Sequence, residues 1–318
     1  GIILQSNSMK IIVTGGAGFV GSHVVELLIK NKHYPIIVDN LHSGNYSYIK
    51  KFVDDKKAEF HKLDIRNIKN LMKLPKANAI IHVAAIASVV ESIENPILVN
   101  DVNVNGTLNM LEFCRKKNIK KFIFTSSAAI FGDFEGKSNE NTKTIPNTVY
   151  AGSKLTGEQY CKIYSDLFGI SVVCLRPFNI YGPRQNDAYA GVISKFFDRL
   201  QNNKRPIIFG DGKQTRDFIH VSDIAMAFFI SIKYNKKKFD VFNLATSKSI
   251  SILELSKIFA KIMDKSKLKP IHKNAIPGVV KCNSTSNRKL RKILKFTPSV
   301  KLENGLLTLV KEYPNSQI

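Results

Sequence analysis

A tyrosine and a lysine four residues apart are the first candidates for chemistry. Tyr150 and Lys154 stand in the sequence YAGSK, and this spacing places both side chains on one face of a helix. Tyrosine is a poor base near neutral pH because its ordinary pKa is about 10, but a nearby ammonium group lowers that pKa. The pair therefore predicts a base assisted by a lysine. Ser127, which ends the sequence TSS, adds a hydroxyl for the same reacting oxygen.

A glycine-rich turn predicts where a cofactor binds. Gly15, Gly18 and Gly21 recur at every third position of IIVTGGAGFVGSHVVELL, which begins at Ile11. The first glycine allows a sharp turn, the second admits a pyrophosphate to the backbone, and the third lets the helix pack closely on the strand. The N–H groups at the start of that helix then bind the phosphates. A strand before the turn and a helix after it favour a dinucleotide site over a plain turn.

The acid at the end of the next predicted strand narrows the choice of cofactor. Asp39 closes the sequence IIVD. A carboxylate there accepts hydrogen bonds from the adenosine ribose and repels the 2′-phosphate of NADP. The sequence therefore favours NAD, and an aspartate that merely caps the strand is the alternative interpretation.

Strands and helices that could position these residues alternate through the first half of the chain. Apolar strands that alternate with amphipathic helices predict a Rossmann-type, doubly wound parallel sheet of the α/β class. Strands are predicted at 11–15, 36–39, 58–64, 79–85, 121–127 and 170–176, and helices at 19–31, 96–117 and 149–168. After Arg176, helices are predicted near 188–201, 222–233, 251–264 and 302–313, and strands near 207–209 and 240–244.

The looser pattern after Arg176 predicts a smaller mixed α/β lobe for the substrate. We expect residues 1–8 to be a loose tail, residues 9–176 to form the NAD-binding domain and residues 177–318 to form the substrate lobe. No clean linker separates the two domains in the sequence, so we expect them to be partly interleaved.

Charge and cysteine content restrict the partners. The chain has 48 basic and 25 acidic residues, a net charge of +23, with lysines scattered along its whole length. No module typical of nucleic-acid binding is present, and the basic stretch from Lys281 to Lys295 is interpreted as a loop followed by a solvated amphipathic helix. Four cysteines, at 114, 161, 174 and 282, match no zinc or disulfide spacing. We expect reduced thiols and no metal.

The apolar runs of the chain are short. None approaches the roughly 20 residues that span a bilayer, and the amino-terminal residues do not have the pattern of a signal peptide. The expectations are a cytoplasmic protein without a membrane partner and without a specific nucleic-acid partner.

The motifs taken together resemble the extended short-chain dehydrogenase/reductase family, and within it the NAD-dependent nucleotide-sugar epimerases of the UDP-glucose 4-epimerase type. The resemblance runs from Met9 to the carboxyl terminus. It rests on TGGAGFVGSH (14–23), DNLHSGN (39–45), DIR (64–66), HVAAIASV (82–89), NVNGT (103–107), TSSAAIFGD (125–133), YAGSK (150–154), RPFNIYGPRQ (176–185) and GDGKQTRDFIHVSDIA (210–225).

The resemblance implies a set of site residues. The catalytic residues are Ser127, Tyr150 and Lys154. The cofactor-binding residues are Gly15, Gly18, Phe19, Val20, Gly21, Asp39, Asn40, Ser43, Gly44, Asp64, Ile65, Ala84, Ala85, Ala87, Tyr150, Lys154 and Pro177. The substrate-binding residues are Ser88, Ser127, Tyr150, Asn179 and Arg216, where an arginine fork suits a diphosphate.

The implied reaction is epimerisation of a nucleotide sugar at C4, of the UDP-glucose/UDP-galactose type, with NAD as a transient hydride store. Family dehydratases carry Asp and Glu just after the catalytic hydroxyl residue, where this chain has Ala128 and Ala129. The alternatives are a reductase, a decarboxylase or a dehydratase on a nucleotide sugar, and, last, a non-catalytic NAD-sensing protein. The resemblance also implies a homodimer that pairs helices 96–117 and 149–168.

Two departures from the family pattern bear on the substrate. Ala275 and Val279 occupy the positions where relatives carry an Arg and an Asp, and Lys273 or Lys281 is expected to supply the missing charge. Phe131 replaces a family tyrosine, which predicts one hydroxyl fewer in the pocket.

Overall fold

The computed structural model describes residues 8–185, 191–277 and 281–312, so residues 1–7 of the expected tail lie outside it. The strands are β1 (Lys10–Thr14), β2 (Tyr34–Asp39), β3 (Glu59–Lys62), β4 (Ala79–His82), β5 (Lys121–Thr125), β6 (Gly136–Ser138), β7 (Ser171–Pro177), β8 (Asn179–Tyr181), β9 (Ile207–Phe209), β10 (Thr215–His220), β11 (Phe239–Leu244), β12 (Ser249–Ser251), β13 (Ile271–Lys273) and β14 (Asn283–Thr285).

The α-helices are α1 (Phe19–Lys30), α2 (Lys50–Asp54), α3 (Ile68–Leu71), α4 (Val89–Glu94), α5 (Pro96–Asn100), α6 (Gly106–Lys116), α7 (Val149–Phe168), α8 (Val192–Gln201), α9 (Val221–Ser231), α10 (Ile252–Ile262) and α11 (Leu302–Glu312). Short 3₁₀ turns span Tyr46–Tyr48 and Ala128–Phe131, and π-helical turns span Asp101–Asn105 and Leu290–Leu294. In the part of the chain that the structure describes, no helix is both long enough and apolar enough to cross a bilayer.

Seven parallel strands form the main sheet, in the order β11-β7-β5-β4-β1-β2-β3. β4 and β5 are buried along their whole length, as expected for a parallel sheet with helices on both faces. The chain winds away from β1 in one direction through β2 and β3, and in the other from β4 onward. The predicted doubly wound Rossmann-type fold is confirmed, and such sheets bind ligands at the carboxyl ends of the strands beside this switch point.

The later part of the chain is interleaved with the main sheet. β11 pairs in parallel with β7, from Phe239 opposite Val172 to Leu244 opposite Pro177, and α9 packs against α1. The remaining elements form the smaller lobe: the β12-β10-β8 sheet, the β13-β9 pair and helices α8, α10 and α11 around their own apolar core. The main sheet therefore takes strands from both sides of residue 176.

A π-helical turn interrupts the long helix predicted over 96–117, between α5 and α6. Asn103 in this turn is buried. Its Oδ1 accepts a hydrogen bond from the Ile86 N–H at 2.8 Å, and its Nδ2 donates to the Ile86 carbonyl at 3.0 Å and to Ser153 Oγ at 3.0 Å. Such turns are frequent at functional sites, and this one ties the loop after β4 to α7.

A buried ion pair fixes α7 to the main sheet. Glu158 on α7 accepts from Arg176 on β7, with Nε–Oε1 at 2.7 Å and Nη2–Oε2 at 3.2 Å. Both side chains are less than a tenth exposed. Arg176 also donates to the Glu140 carbonyl at 3.2 Å. Burial raises the pKa of Glu158, and the arginine opposes that rise.

We expect Glu158→Ala to lower the free energy of unfolding by roughly 3–5 kcal/mol, because it leaves Arg176 charged, buried and unpaired. Asp166→Ala is the matched control on the same helix, since it breaks an exposed pair with Lys162 and should cost about 1 kcal/mol or less. Urea unfolding measures both variants. Equal losses would contradict the assignment of the buried pair as the anchor.

Candidate active site

Two cavities open at the carboxyl edge of the main sheet, where the strands end. The larger, of about 1290 Å³, lies between that edge and the smaller lobe. The smaller is a crevice that follows the glycine turn and the ends of β1, β2 and β4. Val83, Ala85 and Ala87 line both cavities, so the two form one continuous site.

In the glycine turn, backbone segments that border the crevice approach one another more closely than side chains would allow. Gly15 has a φ of +68°, and a Cβ there would lie 2.8 Å from the Ala84 nitrogen. A Cβ on Gly21 would lie 2.0 Å from the Gly15 carbonyl oxygen. Gly18 precedes the first residue of α1, and no side chain caps the helix. A bare helix N-terminus beside such a turn fits the pyrophosphate of NAD.

Most of the predicted cofactor residues meet in this crevice. They are Gly15, Gly18, Phe19, Val20, Gly21, Asp39, Asn40, Ser43, Asp64, Ile65, Ala84, Ala85 and Ala87. Pro177, Tyr150 and Lys154 line the larger cavity. Gly44 supports the crevice from behind, since a Cβ there would lie 3.0 Å from the Asp39 carboxylate oxygens.

The two crevice carboxylates have different environments. Asp39 accepts hydrogen bonds from the Ala17 N–H at 3.0 Å and the Leu41 N–H at 2.8 Å. Burial raises the pKa of Asp39, and these two donors oppose the rise. Asp64 pairs with Arg66, Oδ2 to Nη2 at 2.7 Å, and hydrogen bonding from that arginine lowers the pKa of Asp64.

A buried histidine that the sequence analysis did not assign supports the crevice wall. His82 bonds Thr14 Oγ1 through Nδ1 at 2.6 Å and Thr107 Oγ1 through Nε2 at 2.9 Å. Thr14 Oγ1 accepts from the N–H groups of Val83 and Ala84, each at 3.1 Å. Burial, with a smaller effect of a nearby lysine, lowers the pKa of His82 to about 3, so it is neutral. The sequence signal for this role is a histidine placed within the apolar run AIIHVAA.

The three predicted catalytic residues meet in the larger cavity. Ser127 lies close enough to Tyr150 for its hydroxyl to lower the pKa of the tyrosine, and Ser127 Oγ accepts a hydrogen bond from the Ala129 N–H at 3.1 Å. Lys154 Nζ lies 5.9 Å from the centre of the Tyr150 ring and donates to the Thr125 carbonyl at 2.8 Å. The end of β5 therefore orients the serine and the lysine together.

Burial governs the ionisation of this group. It raises the pKa of Tyr150, and the nearby Ser127 hydroxyl opposes the rise. It lowers the pKa of Lys154 to about 8. In the protein alone the pKa of Tyr150 is therefore raised by burial and not, as expected from the sequence, lowered.

The predicted substrate residues also line the larger cavity, each fixed by one hydrogen bond. Ser88 Oγ accepts from the Glu91 N–H at 3.1 Å and so caps α4. Asn179 Nδ2 donates to the Asp217 carbonyl at 2.8 Å. Arg216 Nη1 donates to the carbonyl of its neighbour Thr215 at 2.7 Å, and burial lowers the pKa of Arg216.

The positions that depart from the family pattern lie in different surroundings. Lys281 lines the larger cavity beside Ala275, whereas Lys273 lies exposed on β13. Val279 lies outside the described residues. Phe131 is buried against Phe178 and beneath the Arg176 guanidinium, and it is not among the residues that line the larger cavity.

Comparison with known proteins agrees with this geometry. Residues 11–245 match the NAD dependent epimerase/dehydratase family. A putative UDP-glucose 4-epimerase of Methanocaldococcus jannaschii is 43% identical over 250 residues, which is 77% of this chain and 79% of that protein.

Two solved structures extend the likeness over nearly the whole chain. UDP-glucose 4-epimerase of Thermotoga maritima, solved with UDP-glucose, has a TM-score of 0.90 and 32% identity, and the match covers 98% of this chain and 100% of that one. UDP-N-acetylglucosamine 4-epimerase of Methanobrevibacter ruminantium M1, in complex with UDP-N-acetylmuramic acid, has a TM-score of 0.92 and 33% identity with the same coverage.

The chain belongs to the NAD-dependent epimerase/dehydratase family, in the extended short-chain dehydrogenase/reductase group. It is an NAD-dependent enzyme of the nucleotide-sugar epimerase type, an isomerase. NAD is its cofactor, in agreement with the sequence prediction, and the residues of the glycine turn and Asp39 are those we expect to bind it.

We expect the protein to bind NAD more tightly than NADP, because the Asp39 carboxylate repels a 2′-phosphate. Asp39→Asn should reduce that preference about tenfold or more, equivalent to about 1.4 kcal/mol. Asp54→Asn is the control, since this exposed carboxylate on α2 lies outside the crevice lining. Calorimetric titration with each dinucleotide measures the ratio, and equal wild-type affinities would overturn the role of Asp39.

Proposed function

We propose that this enzyme inverts a nucleotide sugar at C4, of the UDP-glucose/UDP-galactose type, through a transient 4-keto sugar. The observation that carries the proposal is the grouping of Ser127, Tyr150 and Lys154 in the wall of the larger cavity. The relatives named as UDP-sugar 4-epimerases support it.

The proposed steps use these three side chains in turn. Tyr150 takes the proton from the sugar 4-hydroxyl, with Ser127 bonded to the same oxygen and able to relay it. Lys154 stabilises the tyrosine anion between steps. The glycine turn and Asp39 would hold NAD, which would supply a reversible two-electron acceptor for C4 of the sugar. The 4-keto sugar would rotate in the cavity, and Tyr150 returns the proton to its oxygen, so net redox is zero.

The residues after the catalytic serine distinguish epimerisation from its alternatives. Removal of water needs an acid and a base beside the sugar, and Ala128 and Ala129 cannot transfer a proton. A reductase would consume reduced cofactor, whereas the proposed cycle does not. A non-catalytic NAD sensor would need none of the three grouped side chains.

The charge of the larger cavity supports a diphosphate in the substrate. Its lining includes the cations of Lys195, Lys213, Arg216 and Lys281, against one acid, Asp211, among the described residues. The Thr215 N–H donates to the Lys281 carbonyl at 2.9 Å, which puts Lys281 beside Arg216. Guanidinium and ammonium groups together suit phosphate oxygens, and we propose that Lys281 replaces the family arginine there.

We expect the purified protein to interconvert C4 epimers of a UDP-sugar, without added NADH and without net change in nicotinamide absorbance. Tyr150→Phe should lower kcat by about 10²–10⁴-fold because the base is lost, with unchanged thermal unfolding. Tyr160→Phe, on the same helix, should keep wild-type kcat.

The test resolves epimers by chromatography after incubation with UDP-, dTDP-, GDP- and CDP-sugars. Conversion of none of them would overturn the epimerase proposal. Undiminished turnover by Tyr150→Phe would exclude Tyr150 as the base while leaving the reaction itself in place.

We also propose a homodimer through the helices predicted over 96–117 and 149–168. Both carry exposed apolar side chains: Ile97 is 85% exposed, Leu167 69% and Ile163 45%. Contiguous exposed apolar surface is typical of an association site. A cytoplasmic location is proposed with it, since Cys114, Cys161 and Cys174 are free, buried thiols of the kind that reducing compartments preserve.

We expect Leu167→Glu to shift the protein from dimer to monomer in sedimentation velocity, because a carboxylate would have to be buried without a partner. Leu307→Glu is the control, as Leu307 is a partly exposed leucine on α11, away from both helices. A wild-type protein that sediments as a monomer would refute the dimer.

A further inference from the structure

The two edges of the main sheet differ sharply in charge. The connections that lead from a helix to the next strand all lie at the amino edge, opposite the site; they are residues 31–33, 55–58, 72–78, 117–120, 169–170 and 232–238. They contain one acid, Asp55, no arginine and eleven lysines: Lys32, Lys56, Lys57, Lys73, Lys76, Lys117, Lys120, Lys233, Lys236, Lys237 and Lys238. We call these lysines the amino-edge surface.

The carboxyl edge has no such excess. Its strand-to-helix connections are residues 15–18, 40–49, 63–67, 83–88 and 126–148. They carry four acids and three bases: Asp64, Asp133, Glu135 and Glu140, with Arg66, Lys137 and Lys143. Among these connections of the main sheet, the lysines are therefore concentrated at the edge away from the cofactor crevice.

Contacts link the last of the amino-edge connections to three of the others. Lys233 lies close enough to His33 to lower its pKa, after the larger effect of burial, and Lys238 does the same to Lys121. Lys238 Nζ also donates to the Gly169 carbonyl at 3.1 Å. Residues 232–238 thus connect the turn after α1 with the turns after α6 and α7. Ten of the eleven lysines are exposed, and Lys117 is half-buried.

Helix capping does not account for this surface. A cation in or next to the last turn of a helix is stabilised by the helix dipole, which covers Lys32, Lys56, Lys73, Lys117 and Lys233. Lys236, Lys237 and Lys238 follow the end of α9 at Ser231 by five residues or more, beyond the reach of that effect. Like charges at this density repel one another, so an anionic partner would relieve the repulsion.

We propose that the amino-edge surface binds the anionic face of a lipid bilayer. These lysines lie at one edge of the main sheet, and lysines attract a charged bilayer from within about 8 Å at physiological salt. A nucleic-acid site would use arginine forks and aromatic stacking, but these connections have no arginine and their one tyrosine, Tyr234, is buried. Binding in this way leaves the carboxyl-edge cavities facing the solvent.

This proposal replaces the sequence expectation of no membrane partner. That expectation rested on the absence of a long apolar run, which bears on a membrane-spanning segment and not on a charged surface. The proposed contact is peripheral and electrostatic only, and it is independent of which nucleotide sugar the enzyme converts.

The test is sedimentation of the full chain with vesicles of phosphatidylcholine, alone or with about 30% phosphatidylglycerol. We expect binding only to the anionic vesicles, lost at about 0.5 M salt. The amino-edge variant Lys56→Gln, Lys76→Gln, Lys120→Gln, Lys237→Gln should lower the vesicle partition coefficient about tenfold or more. Its control, Lys204→Gln, Lys257→Gln, Lys267→Gln, Lys301→Gln, has the same net charge and should stay within about twofold of the wild type.

Three outcomes would overturn the proposal: equal binding to both kinds of vesicle, equal loss in the two variants, or binding of a DNA duplex with none to anionic vesicles. Thermal unfolding checks that both variants fold. The lipid and salt dependence of the wild-type chain still tests the proposal if one variant does not fold.

Discussion

The close approach of α1 to the end of β1 is the constraint on which the site depends. No side chain fits at Gly21, where a Cβ would lie 2.0 Å from the Gly15 carbonyl oxygen and 2.8 Å from the Gly16 Cα. The helix can therefore begin directly over the crevice. Its dipole and first N–H groups then face the space that the phosphates of NAD need. A helix displaced by even one methyl group would lose that alignment.

Around this turn, buried polar contacts determine where the functional groups stand. Thr14 and His82 fix the crevice wall, Asn103 fixes the loop that follows it, and Glu158 with Arg176 fixes α7, which carries the tyrosine and the lysine. A buried polar group without its partner is costly, so each of these contacts admits few arrangements. These buried contacts hold the site residues in place, although the cavities themselves are open to solvent.

The features that the sequence predicted are those encoded within short segments. Runs of apolar residues define the strands, the glycine spacing defines the turn, and the four-residue spacing places Tyr150 above Lys154. The features that it missed depend on residues far apart in the chain. The expected interleaving could not be assigned to a strand, and it is β11 that pairs with β7 although β8, β9 and β10 precede it in the chain. Phe131 is buried by Phe178 and Arg176, and burial raises the pKa of Tyr150.

The grouping of the lysines is also a feature that short segments of sequence do not reveal. Along the chain they are scattered, and only the topology brings every helix-to-strand turn to one edge of the sheet. The cofactor crevice and the amino-edge surface thus lie at opposite edges of the same strands. Substitutions at one edge leave the contacts of the other intact, which allows the two to change separately.

The π-helical turn around Asn103 has a consequence for the history of the fold. A turn with one extra residue is what a single-residue insertion leaves in a regular helix, and it shifts the phase of everything after it by about 100°. The extra residue therefore sets the rotation of α6 relative to α5, and with it which side chains of each helix face the rest of the protein. Shortening the helix by one residue would make it regular and would also turn Asn103 away from Ile86, so irregular geometry is retained here as the means of binding a loop.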